Sequence, residues 1–256
     1  MKWPAIFFPI LLLAFSFPPL LFASQNNFYT EIEAGTAYEE LNRNYSSWRS
    51  TYLEIKSGDS PRRFILLNGR QTRRFSLTDK ELAGIISLPL GAKYTAAIEG
   101  SASSTHEVLP EKSITGRLSR TLGKGWLAGI SAGKRVYDKS DVELGSMGIE
   151  YYFSFYRLAY TLYSSKVEKG GTNYSHSIGF DYYYAKKSSA GIRLSTGKES
   201  ENLDGTNIIS TRVKSAALVS RYWLNDHWGI TCSATYHQQG NYYDRYGLLL
   251  GIRYSY

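Results

Sequence analysis

Only four side chains in this sequence are histidines, His106, His176, His227 and His237, and they are the natural place to look for acid–base or metal chemistry. Two of them fall in polar connections and one, His176, in the outward phase of its segment. His237 follows Ser233 by four residues, so the two share one face of an extended strand. That is the one spacing where a base could meet a hydroxyl. No G-x-S-x-G elbow and no H-x-x-x-H pair accompanies it. Cys232 is the single cysteine, which excludes an internal disulfide and any thiolate metal cluster. The Gly-rich stretches 122–125 and 169–171 precede no helical pattern and read as turns rather than phosphate loops. The expectation is therefore no catalytic residue, no metal site and no cofactor.

The charged residues carry more information, because their positions obey a period of two. Glu31, Glu33, Glu54, Glu99, Glu150 and Asp181 fall on the polar face of alternating segments, as do Arg117, Arg135, Arg157, Arg193 and Arg253. The signs nearly balance, which suits a network of charges in a partly hydrated interior. Such a network either braces a barrel wall or selects solutes by charge at a constriction. If Phe153-Ser154 is a two-residue turn, Glu150 lies directly opposite Arg157, a cross-strand pair of about 0.2–1 kcal/mol. Arg253 near the end and Glu31 near the start should meet where the last strand joins the first.

The elements that must position these charges are strands. From Phe28 onward the chain divides into fourteen alternating segments of about ten residues, the length a tilted membrane strand requires. They span about 28–39, 46–57, 62–70, 75–89, 92–102, 112–121, 125–137, 141–153, 154–165, 172–184, 187–198, 209–223, 226–238 and 243–256. Connections after even-numbered strands are tight turns, such as 57–61, 89–91, 122–125 and 224–227. Those after odd-numbered strands include the longer polar stretches 103–111 and 199–208. Short turns on one rim and loops on the other imply a membrane barrel with the turns, and so both termini, in the periplasm. Trp126, Trp223 and Trp228 lie beside predicted turns and, with Tyr254 and Tyr256, are expected to form an interfacial aromatic girdle.

The last strand supports the same architecture. Leu248, Leu250, Ile252, Tyr254 and Tyr256 share one face, and Gly247, Gly251, Arg253 and Ser255 the other. A free edge strand of this kind would be an aggregation hazard, whereas a barrel pairs it with the first strand. A soluble sandwich would show the same alternation with its apolar face buried, so the girdle tryptophans rather than strand phase separate the two.

Composition is consistent with this. With 22 Tyr, 23 Gly and 20% charged residues in 256, the only apolar run long enough for a membrane helix is at the N-terminus. A mean hydropathy of −0.32 does not argue against a barrel, since lumen-facing residues mask the lipid-facing ones. Residues 1–24 read as a signal peptide: Lys2, an apolar run interrupted by Pro4, Pro9, Pro18 and Pro19, then Ala23 and Ser24. A retained anchor is the alternative, disfavoured by those prolines. Residues 25–256 then form one barrel domain. The net charge of +8 is scattered rather than clustered, which excludes a nucleic-acid surface and points to lipopolysaccharide phosphates or acidic glycans.

The stretches Gly133–Tyr137, Asp141–Glu143, Gly148–Tyr152, Tyr156–Tyr163 and Gly170–His176 resemble the YaiO-type outer-membrane β-barrel family. The resemblance extends more loosely to Tyr256 and is weakest over residues 28–115. It implies a barrel in the outer membrane and transfers no catalytic residue. The ending also resembles the C-terminal signature of outer-membrane proteins read by the barrel-assembly machinery, with Tyr256 where Phe is commoner.

The sequence thus predicts an all-β, antiparallel, up-and-down transmembrane barrel of about fourteen strands, with twelve or sixteen as alternatives. Its expected role is of channel or surface-interaction type in the outer membrane, linked to envelope polysaccharide. The competing reading is a lipid-modifying enzyme with a Ser/His/acid site near the outer rim. Expected partners are outer-membrane lipid and lipopolysaccharide, the assembly machinery and glycans.

Overall fold

A computed structural model describes residues 28–256 except 44, 139, 169, 186 and 203–207. The expected leader at 1–24 lies outside the described residues. Fourteen strands follow one another: β1 Tyr29–Leu41, β2 Trp48–Ser60, β3 Arg63–Arg74, β4 Leu77–Leu90, β5 Tyr94–Ser103, β6 Lys112–Gly123, β7 Trp126–Tyr137, β8 Ser140–Phe153, β9 Tyr156–Val167, β10 Thr172–Tyr184, β11 Ser188–Asn202, β12 Ile208–Trp223, β13 Trp228–Gln239 and β14 Tyr243–Ser255. Each pairs antiparallel with its sequence neighbours, and β1 pairs with β14, so the sheet closes on itself. Closure leaves no edge, which is the condition for a sheet to cross hydrocarbon.

The turn end is built from left-handed backbone. Lys124 and Gly125 both have positive φ, 50° and 83°, as a two-residue hairpin with the twist of its strands requires. A side chain at Gly125 would strike the Tyr152 carbonyl oxygen, so the sheet also needs glycine there for close approach. Connections at this end span two to four residues. The opposite end carries the longer connections between β1 and β2 and between β5 and β6, but also a two-residue turn at 75–76, and Tyr137 of β7 pairs directly with Ser140 of β8. The expected stretch 57–61 is mostly strand: β2 runs to Ser60 through a bulge near Gly58, leaving Pro61 and Arg62 as the turn.

Polarity is inverted relative to a soluble protein. Among the described residues the buried set holds ten hydrophobic and twenty polar or charged side chains, while Leu248, Leu250, Ile252, Leu82, Ile98 and Ile130 are well exposed. The alternating apolar residues therefore face outward, which removes the sandwich alternative. One apolar cluster lies inside at the loop end. Trp48 is 1% exposed, packed with Leu41 and Tyr243, with Phe75 edge-on at 5.3 Å. Arg74 and Arg245 stack on its ring at 4.5 and 4.7 Å.

Candidate functional site

Strand alternation sends every second side chain into the lumen, and the acids and arginines arriving there form two clusters. The first crosses the seam of the barrel. Arg253 on β14 donates through Nη1 to Glu31 Oε2 at 2.6 Å and through Nε to Glu33 Oε2 at 2.6 Å, and its Nη2 also meets Glu33. Tyr52 Oη donates to Glu33 Oε1 at 2.6 Å and Thr231 Oγ1 to Oε2 at 3.1 Å, while Glu54 lies 3.9 Å from Arg253. The second spans β8 to β11. Arg157, 4% exposed, donates through Nε to Glu150 Oε2 and through Nη1 to Asp181 Oδ2, both at 2.7 Å. Arg193 Nη2 takes the other Asp181 oxygen at 2.6 Å, and Tyr152 Oη donates to Glu150 at 2.7 Å. Glu33, Glu150 and Asp181 are each shared by two or more donors, an arrangement in which buried charge is tolerated.

Between these clusters the lumen opens into a chamber of about 330 Å³. Its wall includes Arg70, Arg74, Arg117 and Arg135 together with Glu81 and Glu99. None of these six makes an ion pair among the described residues. The Arg135 guanidinium donates to the Tyr137 hydroxyl. Val108, Leu109 and Pro110, from the connection between β5 and β6, also line the chamber.

That connection is tied inward by one carboxylate. Asp79, fully buried, accepts the backbone N–H groups of Glu107 at 3.0 Å, Val108 at 2.7 Å and Leu109 at 2.7 Å. It lies at the loop end of β4, beyond the outward-facing Lys80 and outside the apolar band that begins at Leu82. Burial alone would raise this carboxyl, but the three amides outweigh it and hold it below the usual carboxylate range. His106 Nε2 adds a 2.8 Å contact to Asp138.

Two sequence expectations need correction. Glu150 is not directly opposite Arg157: the register pairs Glu150 with Ala159 and Arg157 with Tyr152, because the turn is Ser154-Phe155, with Ser154 at φ 51°. A shift of two positions leaves both side chains on the same face, so they still bond, but diagonally. Trp223 does not join the girdle. It takes the inward phase, with its ring over Gly229 and under Lys187, and Tyr222 is the outward residue. Trp126 and Trp228 do face outward at the turn end, where Trp126 stacks on Tyr151 at 4.4 Å and Trp228 meets Tyr254 at 4.8 Å, next to Tyr256. His237 points inward but bonds Gln239 at 2.8 Å, not Ser233, and His176 bonds Tyr160 at 2.7 Å on the outer face. Asp79, Tyr52 and Tyr152 were missed as lumen residues, although strand phase alone turns the two tyrosines inward.

Residues 29–202 match the model of the YaiO membrane beta barrel domain. The chain belongs to this family. The match runs back through β1 and so includes residues 29–115 of the stretch where the sequence resemblance is weakest. A YaiO barrel shares its fold with solved outer-membrane barrels. The CymD monoaromatic hydrocarbon channel is 12% identical, with 91% of this chain and 88% of that one aligned at a TM-score of 0.57. An anion-selective porin from Comamonas acidovorans is 9% identical over 90% of this chain and 99% of the porin, at 0.52. OmpF of Salmonella typhi, solved with daunomycin, is 8% identical over 90% and 97%, at 0.51. Comparison with curated protein sequences gives no significant match. At these identities the likeness is one of fold, and the YaiO barrel's own residues must carry any statement about its lumen.

Proposed function

We propose that this YaiO barrel is a channel of the outer membrane, with both chain ends in the periplasm, that admits small polar solutes through the lumen chamber. The observation that carries this reading is the chamber itself: about 330 Å³, walled by arginines and glutamates that are not paired with each other. Charges whose only role was to brace the wall would be neutralised locally, as in the two clusters beside it. Those left without counter-ions face whatever fills the lumen. Arginines outnumber carboxylates on the chamber wall once Arg157 and Glu150 are set against each other, so anions should be favoured. The loop-end connection that carries Val108 and Leu109 narrows the path.

Planar-bilayer recordings test this. The refolded protein should give discrete conductance steps, with a reversal potential in a KCl gradient displaced toward anions, and Arg117→Ala should reduce that displacement. Complete absence of steps would remove the channel reading. Neither a polysaccharide nor a lipid-modifying reaction forms part of the proposal, and the His237 contact to Gln239 gives no support to a Ser/His pair.

A further inference from the structure

Around the loop end, several outward-facing cations are matched to acids on the same rim. Lys134 meets Asp141 at 2.5 Å, Lys112 meets Glu111 at 3.5 Å and Lys166 meets Glu143 at 3.9 Å. Among the described residues two groups depart from this pattern: Lys198 and Arg212, paired across β11 and β12 with Lys214 beside them, and a second group on β2 to β4 that lies against exposed leucines. Arg49 on β2 and Arg73 on β3 are direct cross-strand partners, both exposed on the outer face. Lys80 on β4 points outward beside them, opposite Gln71. No carboxylate lies within ion-pair distance of any of the three among the described residues. Glu40, on the same face of β1, makes no ion pair, and Asp79 points inward to its three amides. Arg49 lies over the Tyr38 ring at 5.4 Å.

Like charges directly opposite on a sheet destabilise it, and hydrocarbon just below weakens the screening of their repulsion. Along the same strands toward the turn end, Thr51 and Gln71 give way to the exposed apolar side chains Leu53, Leu67 and Leu82. The three cations therefore stand where an outward face passes from acyl chains to headgroups. An anion that reaches them laterally, with its own chains lying on those leucines, is a phosphorylated lipid. Two guanidinium forks and an ammonium match a phosphate monoester, whose oxygens accept several N–H groups at once.

We infer that Arg49, Arg73 and Lys80 form a binding site for the phosphate group of an outer-leaflet glycolipid of the lipid A type. The site goes beyond the channel proposal and shares with it only the assignment of the loop end to the outer leaflet. It does not depend on the barrel conducting.

The test is lipid retention by the folded protein, read by native mass spectrometry from detergent. The probes are bis-phosphorylated lipid A, the same lipid with both phosphates removed, and inorganic phosphate. The wild type should retain phosphorylated lipid A at least tenfold better than Arg49→Gln/Arg73→Gln, and the Lys80→Gln variant should lie between. Heat-modifiable mobility on gels confirms that each variant is folded, and Lys112→Gln, from an already matched pair, should behave as wild type. Equal retention by the double variant overturns the site. Equal retention of the dephosphorylated lipid, or full displacement of lipid A by millimolar inorganic phosphate, overturns its assignment to a lipid phosphate.

Discussion

Arg253 illustrates how much one lumen residue can carry. Among the described residues it alone makes ion pairs with Glu31 and Glu33, it approaches Glu54, and the cluster joins β1 and β2 to β14. Replacing it by Leu removes the only cation in ion-pair contact with these carboxylates among the described residues and leaves them the more distant Lys56 and Arg221. Removing one partner of a buried ion pair typically costs about 3–5 kcal/mol. Arg253→Leu should therefore lower the unfolding free energy of the barrel, read from urea titration in lipid vesicles, by that order, and adding Glu33→Leu should recover part of the loss. Lys166→Ala, from a half-exposed rim pair at 3.9 Å, should cost under about 1 kcal/mol. If the two single variants were equally mild, the seam cluster would be too hydrated to matter. The residues of this cluster were legible because a period of two assigns each to a face without knowledge of its partner. Their partners were not. Tyr52 reaches Glu33 only because Gly35 and Gly251 leave room for its ring, a fit that needs the register of three strands.

At the scale of elements, the fourteen strands were legible because each carries its own signal, an apolar–polar alternation ended by turn residues. What alternation does not fix is register, and the β8–β9 hairpin shows the limit. Moving the turn from Phe153-Ser154 to Ser154-Phe155 shifts every pair by two and changes no face. The connection 104–111 was legible only as long and polar. Its inward fold depends on Asp79, twenty-five residues before Ser104, and nothing local announces that contact. The carboxylate is stabilised in the folded loop, so its charged form favours the inward state. That contribution is fully present above the ordinary carboxylate pKa and is lost only as pH falls through the depressed folded value. Acidification through the usual carboxylate range should leave the loop in place, with release at lower pH, seen as faster protease cleavage within 104–111. Asp79→Asn should cleave rapidly at neutral pH and, if the barrel conducts, raise single-channel conductance. A variant as protected as wild type would show that the loop is held by Val108 and Leu109 packing instead.

The whole molecule follows from one inversion, with polar groups inside a closed sheet and apolar groups outside. Closure satisfies the backbone, the outward leucines and isoleucines meet lipid, and the interior is free to hold charge. Its two ends differ in ways that support the proposed direction in the membrane. The turn end has the short connections, the start of β1, the end of β14 and a run of packed rings from Trp126 through Tyr151, Phe153 and Tyr156 to Tyr182 and Tyr184. The loop end has the inward-folded connection and the outward cations. Short turns and termini belong on the periplasmic side of an outer-membrane barrel, since its hairpin loops are the parts that cross during assembly. A cysteine at Ser104, with Cys232 changed to Ser, should react with a membrane-impermeant maleimide on intact cells. A cysteine at Asp226 should react only after the outer membrane is permeabilised. The opposite pattern would reverse the barrel, place Arg49, Arg73 and Lys80 in the inner leaflet, and leave the lumen chamber unchanged, because which way the charges face inside does not depend on which way the molecule stands.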